Sequence, residues 1–156
     1  MLTVHHLNNS RSQRILWLLE ELETPYEIRF YLRDPNTHRA PPELKAIHPL
    51  GKPPVLEDGD NIIAETGAII VYILDKFGKG RLRPEPGTQE YIEYVHFLHF
   101  AEGSAMLPLL LALYTGFLGE AAEPLNPLIM GEMKGVLDYC ESVSYTHLTL
   151  PTTPYV

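Results

Sequence analysis

Cysteine is nearly absent from this 156-residue chain. Cys140 stands alone, which excludes an intrachain disulfide and any zinc site built on several thiolates. Basic residues are scarce as well. Twelve Lys and Arg against twenty Asp and Glu leave a formal net charge of −8, and without clustered cations no nucleic-acid partner is expected. Long apolar runs are missing: Ala68–Leu74 and Met106–Tyr114 fall short of the roughly 20 residues that span a bilayer, so no membrane partner is expected. The opening residues, Met1 to His6, have neither the basic segment nor the apolar core of a signal peptide. The expectation is a soluble protein of the reducing cytoplasm. Hydrophobic residues at 45% and charged ones at 21% match a folded chain and not a disordered one. The length accommodates one ordinary domain, or a small domain with part of another.

Leu2, Val4 and His6 alternate with their neighbours as in a short strand. Ser10 followed by Gln13 has the spacing of a capping box, so a helix is predicted to start there, carry Ile15, Leu16, Leu18, Leu19 and Leu22, and end at Pro25. Trp17 and the leucines around it are predicted core. Tyr26–Phe30 reads as a second strand, Arg33–Arg39 as loop, and Pro41-Pro42-Glu43-Leu44 as the start of a short helix. Val55–Glu57 and Ile62–Ala64 flank Asp58-Gly59-Asp60-Asn61 as a hairpin. Thr66 is predicted to cap a helix from Ala68 to Phe77, closed by Gly78. The order β-α-β-α-β-β-α predicts an α/β domain, a compact mixed sheet flanked by helices, over residues 1–78.

Residues 79–87 hold two Gly and two Pro and read as a linker. Residues 88–142 have only helical periodicity, with Met106–Leu113 apolar all round and therefore expected to be buried. Residues 143–156 break that periodicity. Val143 to Thr152 resembles the one-frame translation of a transposon-end sequencing adapter. The segment is read as a non-native tail and set aside. The expectation is that the natural chain ran on past Ser142, leaving this helical domain truncated.

Three segments carry a family resemblance. Asn9-Ser-Arg-Ser-Gln-Arg-Ile-Leu-Trp-Leu-Leu-Glu-Glu-Leu22 resembles the first strand-to-helix turn and helix of glutathione S-transferases. Ala40 to Leu56, with Gly51-Lys52-Pro53-Pro54-Val55-Leu56, is similar to their second helix and cis-proline turn. Glu65-Thr66-Gly67-Ala68-Ile69 resembles their Glu-Ser motif at the start of the third helix. The match is to the serine-type bacterial and fungal members, good over 1–115 and loose over 116–142. It implies a thioredoxin-like N-terminal domain, a helical second domain, a homodimer in the full-length protein, glutathione as co-substrate and a small electrophilic acceptor.

On that resemblance Ser10 is the leading candidate to activate the glutathione thiol. A hydroxyl at a helix N-terminus sits where N–H groups and the helix dipole favour an anion, and a thiolate is the nucleophile. By spacing alone the position reads more readily as a plain helix cap, and the resemblance reverses that. Many serine-type members place the serine five residues before the helix arginine, whereas Ser10 precedes Arg14 by four. Asn9 is therefore the second candidate and Ser12 the third. The resemblance makes Pro54 the cis-proline and sets the backbone of Pro53 beside the cysteinyl part of glutathione, where proline has no N–H to donate. It makes Glu65 the partner of the γ-glutamyl ammonium, Thr66 that of its carboxylate, and Lys52, with Arg39 or Lys45, that of the glycyl carboxylate. His96 and His99 share a helix with Glu93 and Glu102. Nothing elsewhere completes a ligand set, so they read as helix-face residues by the substrate pocket and no metal is expected. His5 and His6 read as strand residues.

Overall fold

The computed structural model describes residues 1–146. Four strands form one sheet in the order β2-β1-β3-β4. β1 (Leu2–Leu7) and β2 (Tyr26–Tyr31) pair in parallel from Leu2↔Tyr26 to Leu7↔Tyr31. β3 (Val55–Asp58) lies antiparallel on the other side of β1, and β4 (Asn61–Ala64) closes a hairpin with it around Gly59-Asp60. Between and after them come α1 (Gln13–Glu21), α2 (Glu43–Ile47) and α3 (Thr66–Phe77). This is the expected α/β, thioredoxin-like order. Leu2 and Val4 on one face of β1 pack with Leu56, Ile15, Leu19, Leu22, Ile69, Ile73 and Leu74 to make the core. His5 and Leu7, on the opposite face by strand alternation, are also buried, because β1 is central.

Several local expectations change. α1 begins at Gln13, and Ser10 does not cap it: its hydroxyl accepts the N–H of Ser12 at 3.3 Å instead. Ser12 holds the cap position with helical backbone angles and makes no side-chain cap bond. The helix ends at Glu21 and the left-handed Glu23 (φ 53°) turns the chain, so the stop precedes Pro25. Trp17 is 69% exposed rather than core, its Nε1–H donating to Glu21 at 2.9 Å. Two residues from both Ile15 and Leu19 is about 200° around a helix, so Trp17 falls on the face away from the core. Thr66 is the first residue of α3 and Glu65 occupies the cap position.

The chain divides into two compact units, Met1–Tyr94 and Val95–Val156. In the first, the stretch read as a linker is fastened down: Arg81 donates to the Leu22 carbonyl at 2.5 Å, and Arg83 pairs with Asp75 beneath the ring of Tyr91. The helical part comprises α4 (Gln89–Phe100), a π-helical turn Ala101–Ala105, α5 (Met106–Gly116), a 3-10 segment Gly119–Leu125 and α6 (Asn126–Thr146). His96, Phe97 and Phe100 cluster with Tyr139 of α6, whose hydroxyl is 2.9 Å from His96 Nε2.

Met106–Leu113 is not buried as expected. Leu107, Leu109, Leu111 and Leu113 are each 40–57% exposed, because α6 and the neighbouring turns cover only the side of Pro108 and Thr115. The helical run Gln89–Gly116, 28 residues with a window of mean hydropathy 1.4, is by length and composition sufficient to cross a membrane, although core helices of other proteins pass the same test. Short apolar runs in the sequence understate it, since they join through the π turn. α6 extends to Thr146, into the segment set aside as a tail; the remainder of that segment lies outside the described residues.

Candidate functional site

Register alone gathers the candidate segments. β1 and β2 are parallel, so Leu7 and Tyr31 end at the same edge of the sheet; β3 is antiparallel to β1, so Val55 starts there, and Val55 pairs with Ala64, so β4 ends there too. The loop after β1 with Asn9, Ser10 and Ser12, the turn before β3 with Lys52, Pro53 and Pro54, and the junction of β4 with α3 at Glu65 and Thr66 thus share one end of the sheet. The loop after β2 joins them. Arg33 donates from its N–H to Asn8 Oδ1 at 2.8 Å, and from its guanidinium to the carbonyls of Asn8 and Asn9, each at 3.1 Å, and of His38 at 2.9 Å. Arg33 had no role in the sequence reading, yet it clamps the two asparagines in place.

At the start of α1 the hydroxyls of Ser10 and Ser12 are 2.6 Å apart, and Ser12 Oγ is 2.7 Å from Nδ1 of His6. Ser12 is fully buried; Ser10 and His6 are half-buried. Burial pushes the His6 imidazole below its ordinary pKa, so the ring is neutral at neutral pH. Asn9 is exposed with left-handed backbone (φ 49°), a conformation Asn tolerates better than most residues. The reading of the sequence placed His6 only on a strand. The signal that would have found it is parity: His6 points to the same side as Leu2 and Val4, at the end of β1 nearest the α1 start.

The Pro53–Pro54 bond is cis, with Pro54 buried and Pro53 half-buried. Gly51 precedes it at φ +58°, and a Cβ there would meet Lys45 Cγ at 2.6 Å. The Lys45 stem is therefore packed over this turn, while Lys52 is exposed. Glu65 is exposed at φ 74°, ψ 124°, a sparsely populated conformation for a non-glycine residue, which costs on the order of 1–3 kcal/mol. It directs an acidic residue to the start of a twelve-residue helix whose first N–H groups lack helical partners. Thr66 beside it is buried. Arg39 is exposed; its N–H meets Thr37 Oγ1 at 3.4 Å and its carbonyl accepts the Asp34 N–H at 2.9 Å. Cationic, acidic and hydroxyl residues thus lie on the loops at one end of the sheet, beside two helix starts. Among the described residues no three His, Cys, Asp or Glu side chains are grouped as metal ligands.

Residues 1–75 match the family model for the glutathione S-transferase N-terminal domain. Glutathione S-transferase 1 of Saccharomyces cerevisiae is 38% identical over 130 residues, 80% of this chain and 55% of that protein. A crystal structure of a glutathione S-transferase from Actinobacillus pleuropneumoniae superposes with a TM-score of 0.79 at 39% identity, over 93% of this chain and 66% of that one. A glutathione transferase from Phanerochaete chrysosporium, in complex with oxidized glutathione, gives a TM-score of 0.76 at 29% identity, over 93% of this chain and 68% of that one. The chain spans about half the length of the curated relatives it matches. By its N-terminal domain, its sheet order and these likenesses, the chain belongs to the glutathione S-transferase family.

Proposed function

We propose that this chain carries the glutathione-binding half, residues 1–78, of a cytoplasmic, homodimeric glutathione transferase that adds the glutathione thiolate to small hydrophobic electrophiles. The observation that carries this reading is the convergence, at one end of the sheet, of the Ser10 loop, the Pro53–Pro54 turn and the Glu65–Thr66 helix start. In it, Ser10 donates to the sulfur anion and lowers the thiol pKa. Asn9, adjacent and exposed, is the alternative donor. Glu65 pairs with the γ-glutamyl ammonium, while Thr66 and the first turn of α3 hold its carboxylate. Lys52, with Arg39 or Lys45, meets the glycyl carboxylate. The Pro53 carbonyl accepts from the cysteinyl N–H, with no N–H returned. The complex of the Phanerochaete relative with oxidized glutathione supports the choice of ligand.

A second reading, a binding protein with this fold and little turnover, draws on two observations: Pro53 lacks a donor, and the Ser10 hydroxyl already has a partner in Ser12. Calorimetry with glutathione, followed by turnover of a model aromatic electrophile by the full-length protein, separates them. Binding with turnover supports the transferase, binding without turnover supports the second reading, and absence of binding overturns both.

A further inference from the structure

The hydrogen-bond chain Ser10–Ser12–His6 has a property that none of its members has alone. Ser12 Oγ lies between two partners, Ser10 Oγ at 2.6 Å and His6 Nδ1 at 2.7 Å, and carries one proton. Only two arrangements use every proton in the chain. In one, Ser10 donates to Ser12 and Ser12 donates to a bare Nδ1. In the other, Nδ1–H donates to Ser12, Ser12 donates to Ser10, and the Ser10 proton is released to point elsewhere. The state of Nδ1 therefore decides whether Ser10 receives a proton from a ligand or gives a hydrogen bond to it. A thiol requires the first polarity and a thiolate the second.

Resting on the glutathione reading of this site, we propose that His6 is the positioning residue that takes up the thiol proton through the two serines and thereby turns Ser10 from acceptor to donor. The step balances. The S–H bond breaks with its electron pair left on sulfur, and that proton bonds to Ser10 Oγ. The Ser10 proton passes to Ser12 Oγ, and the Ser12 proton to the lone pair on His6 Nδ1. One bond is lost at sulfur and one gained at nitrogen, leaving a thiolate that accepts from Ser10 and an imidazolium that donates to Ser12. No oxidant or further reactant enters.

The surroundings suit this. The His6 ring rests on Phe30 with centroids 5.4 Å apart, and its partial burial keeps it neutral before the ligand arrives. Strand alternation puts Arg29, Tyr31 and Glu57 on the opposite face of the sheet. Tyr26 and Asp58 share the face of His6 but pair with Leu2, at the far end of β1. Arg11 and Arg14 flank Ser12 in sequence, on the helix that carries the chain.

The test reads the ring directly, on the whole chain labelled with nitrogen-15 and assigned with His6→Gln. Long-range proton–nitrogen correlation at pH 7 is recorded for the free protein, with glutathione, and with S-methylglutathione, which has no thiol proton to release. The expected result is a neutral His6 when free and with S-methylglutathione, and an imidazolium with glutathione. In Ser12→Ala glutathione still binds, His6 stays neutral, and the thiolate absorbance shows about tenfold less thiolate at pH 7, a shift of about one pK unit. His6→Gln gives the same loss with a glutathione Kd within about threefold of wild type, whereas a merely structural role would move Kd and leave the thiolate titration in place. Bound thiolate beside a His6 that remains neutral overturns the relay and leaves the glutathione reading intact. Failure of both compounds to bind overturns that reading and the relay with it.

Discussion

The Tyr31 hydroxyl lies 2.9 Å from Nδ1 of His5, joining β2 to β1 on the face of the sheet opposite the core. Nε2 of the same ring is 3.2 Å from a Glu57 carboxylate oxygen on β3. A carboxylate only accepts, so Nε2 carries a proton and donates to Glu57, while the Nδ1–Tyr31 bond is satisfied with either partner as donor. The imidazole is fully buried with both nitrogens satisfied, and three strands are cross-linked by one side chain. His5→Ala opens a cavity and removes both bonds, and is expected to cost about 2–3 kcal/mol. Tyr31→Phe removes one bond and is expected to cost about 0.5–1.5 kcal/mol. Urea denaturation midpoints check both, and equal losses would show that the cost lies in the hydroxyl rather than the ring.

At the start of α1, Ser10→Ala in the full-length protein is expected to raise the pKa of bound glutathione and lower kcat roughly 10²-fold, the scale of removing one donor from a developing anion. Glutathione affinity changes little, since both ends of the tripeptide are held by other residues. Asn9→Ala is expected to cost less. Thiolate absorbance against pH, with kcat and KM for each variant, makes the comparison. A larger shift in Asn9→Ala would move the donor role to Asn9.

Pro53 offers a ligand its carbonyl but no N–H. Pro53→Val restores the missing donor, and glutathione binding is expected to tighten by up to about 1.5 kcal/mol, the net value of one hydrogen bond. Calorimetry measures it directly; unchanged or weaker binding would mean the cysteinyl backbone does not run beside this residue.

The element order was legible because it follows from period and punctuation: Pro25 stands before β2, Gly59 in the hairpin and Gly78 after α3. The gathering of the three motifs at one sheet edge depends on which strands pair and in which direction, which period alone does not encode; only the family resemblance implied it. Side-chain partnerships were not legible. The Ser10–Gln13 spacing matches a capping box, yet the hydroxyl has closer partners in Ser12 and, through it, in His6, which no local pattern encodes. Trp17 was misread from its hydrophobicity when its phase relative to Ile15 and Leu19 points outward. Met106–Leu113 was misread for a different reason: an apolar surface states that a partner is wanted, not that one is present.

That exposed surface has a measurable consequence. Leu109, Leu113 and Phe117 recur every four residues, so they form one stripe along α5 and its end, 45–67% exposed. An uncovered stripe of this kind favours self-association. Leu113→Glu together with Phe117→Glu is expected to shift sedimentation velocity profiles of the isolated chain toward monomer while changing the midpoint of unfolding little. A large loss of stability with unchanged sedimentation would place these side chains in an internal contact instead.

Asp58 gives a test that depends on the sign of a titration. At the end of β3 its carboxylate pairs with the Lys76 ammonium and accepts the Tyr72 hydroxyl at 2.7 Å, tying the hairpin to α3. The lysine bond first, and then the tyrosine bond, hold the Asp58 carboxyl below its ordinary range. A carboxyl depressed in the folded state stabilises in full above its unfolded pKa of about 3.9, and the stabilisation fades as pH falls through the lower folded value. Lys76 is half exposed, so the pair belongs to the weak, solvent-screened class of surface ion pairs. Asp58→Asn keeps an acceptor for Tyr72 and removes the charge. Wild type is therefore expected to exceed it in stability by a constant amount at neutral pH, with the gap closing as pH falls below the unfolded pKa of about 3.9 and through the lower folded one, and narrowing in high salt. Urea unfolding across that range measures it. A gap that persists undiminished at pH 2 would assign the stabilisation to the shape of the side chain and not to its charge.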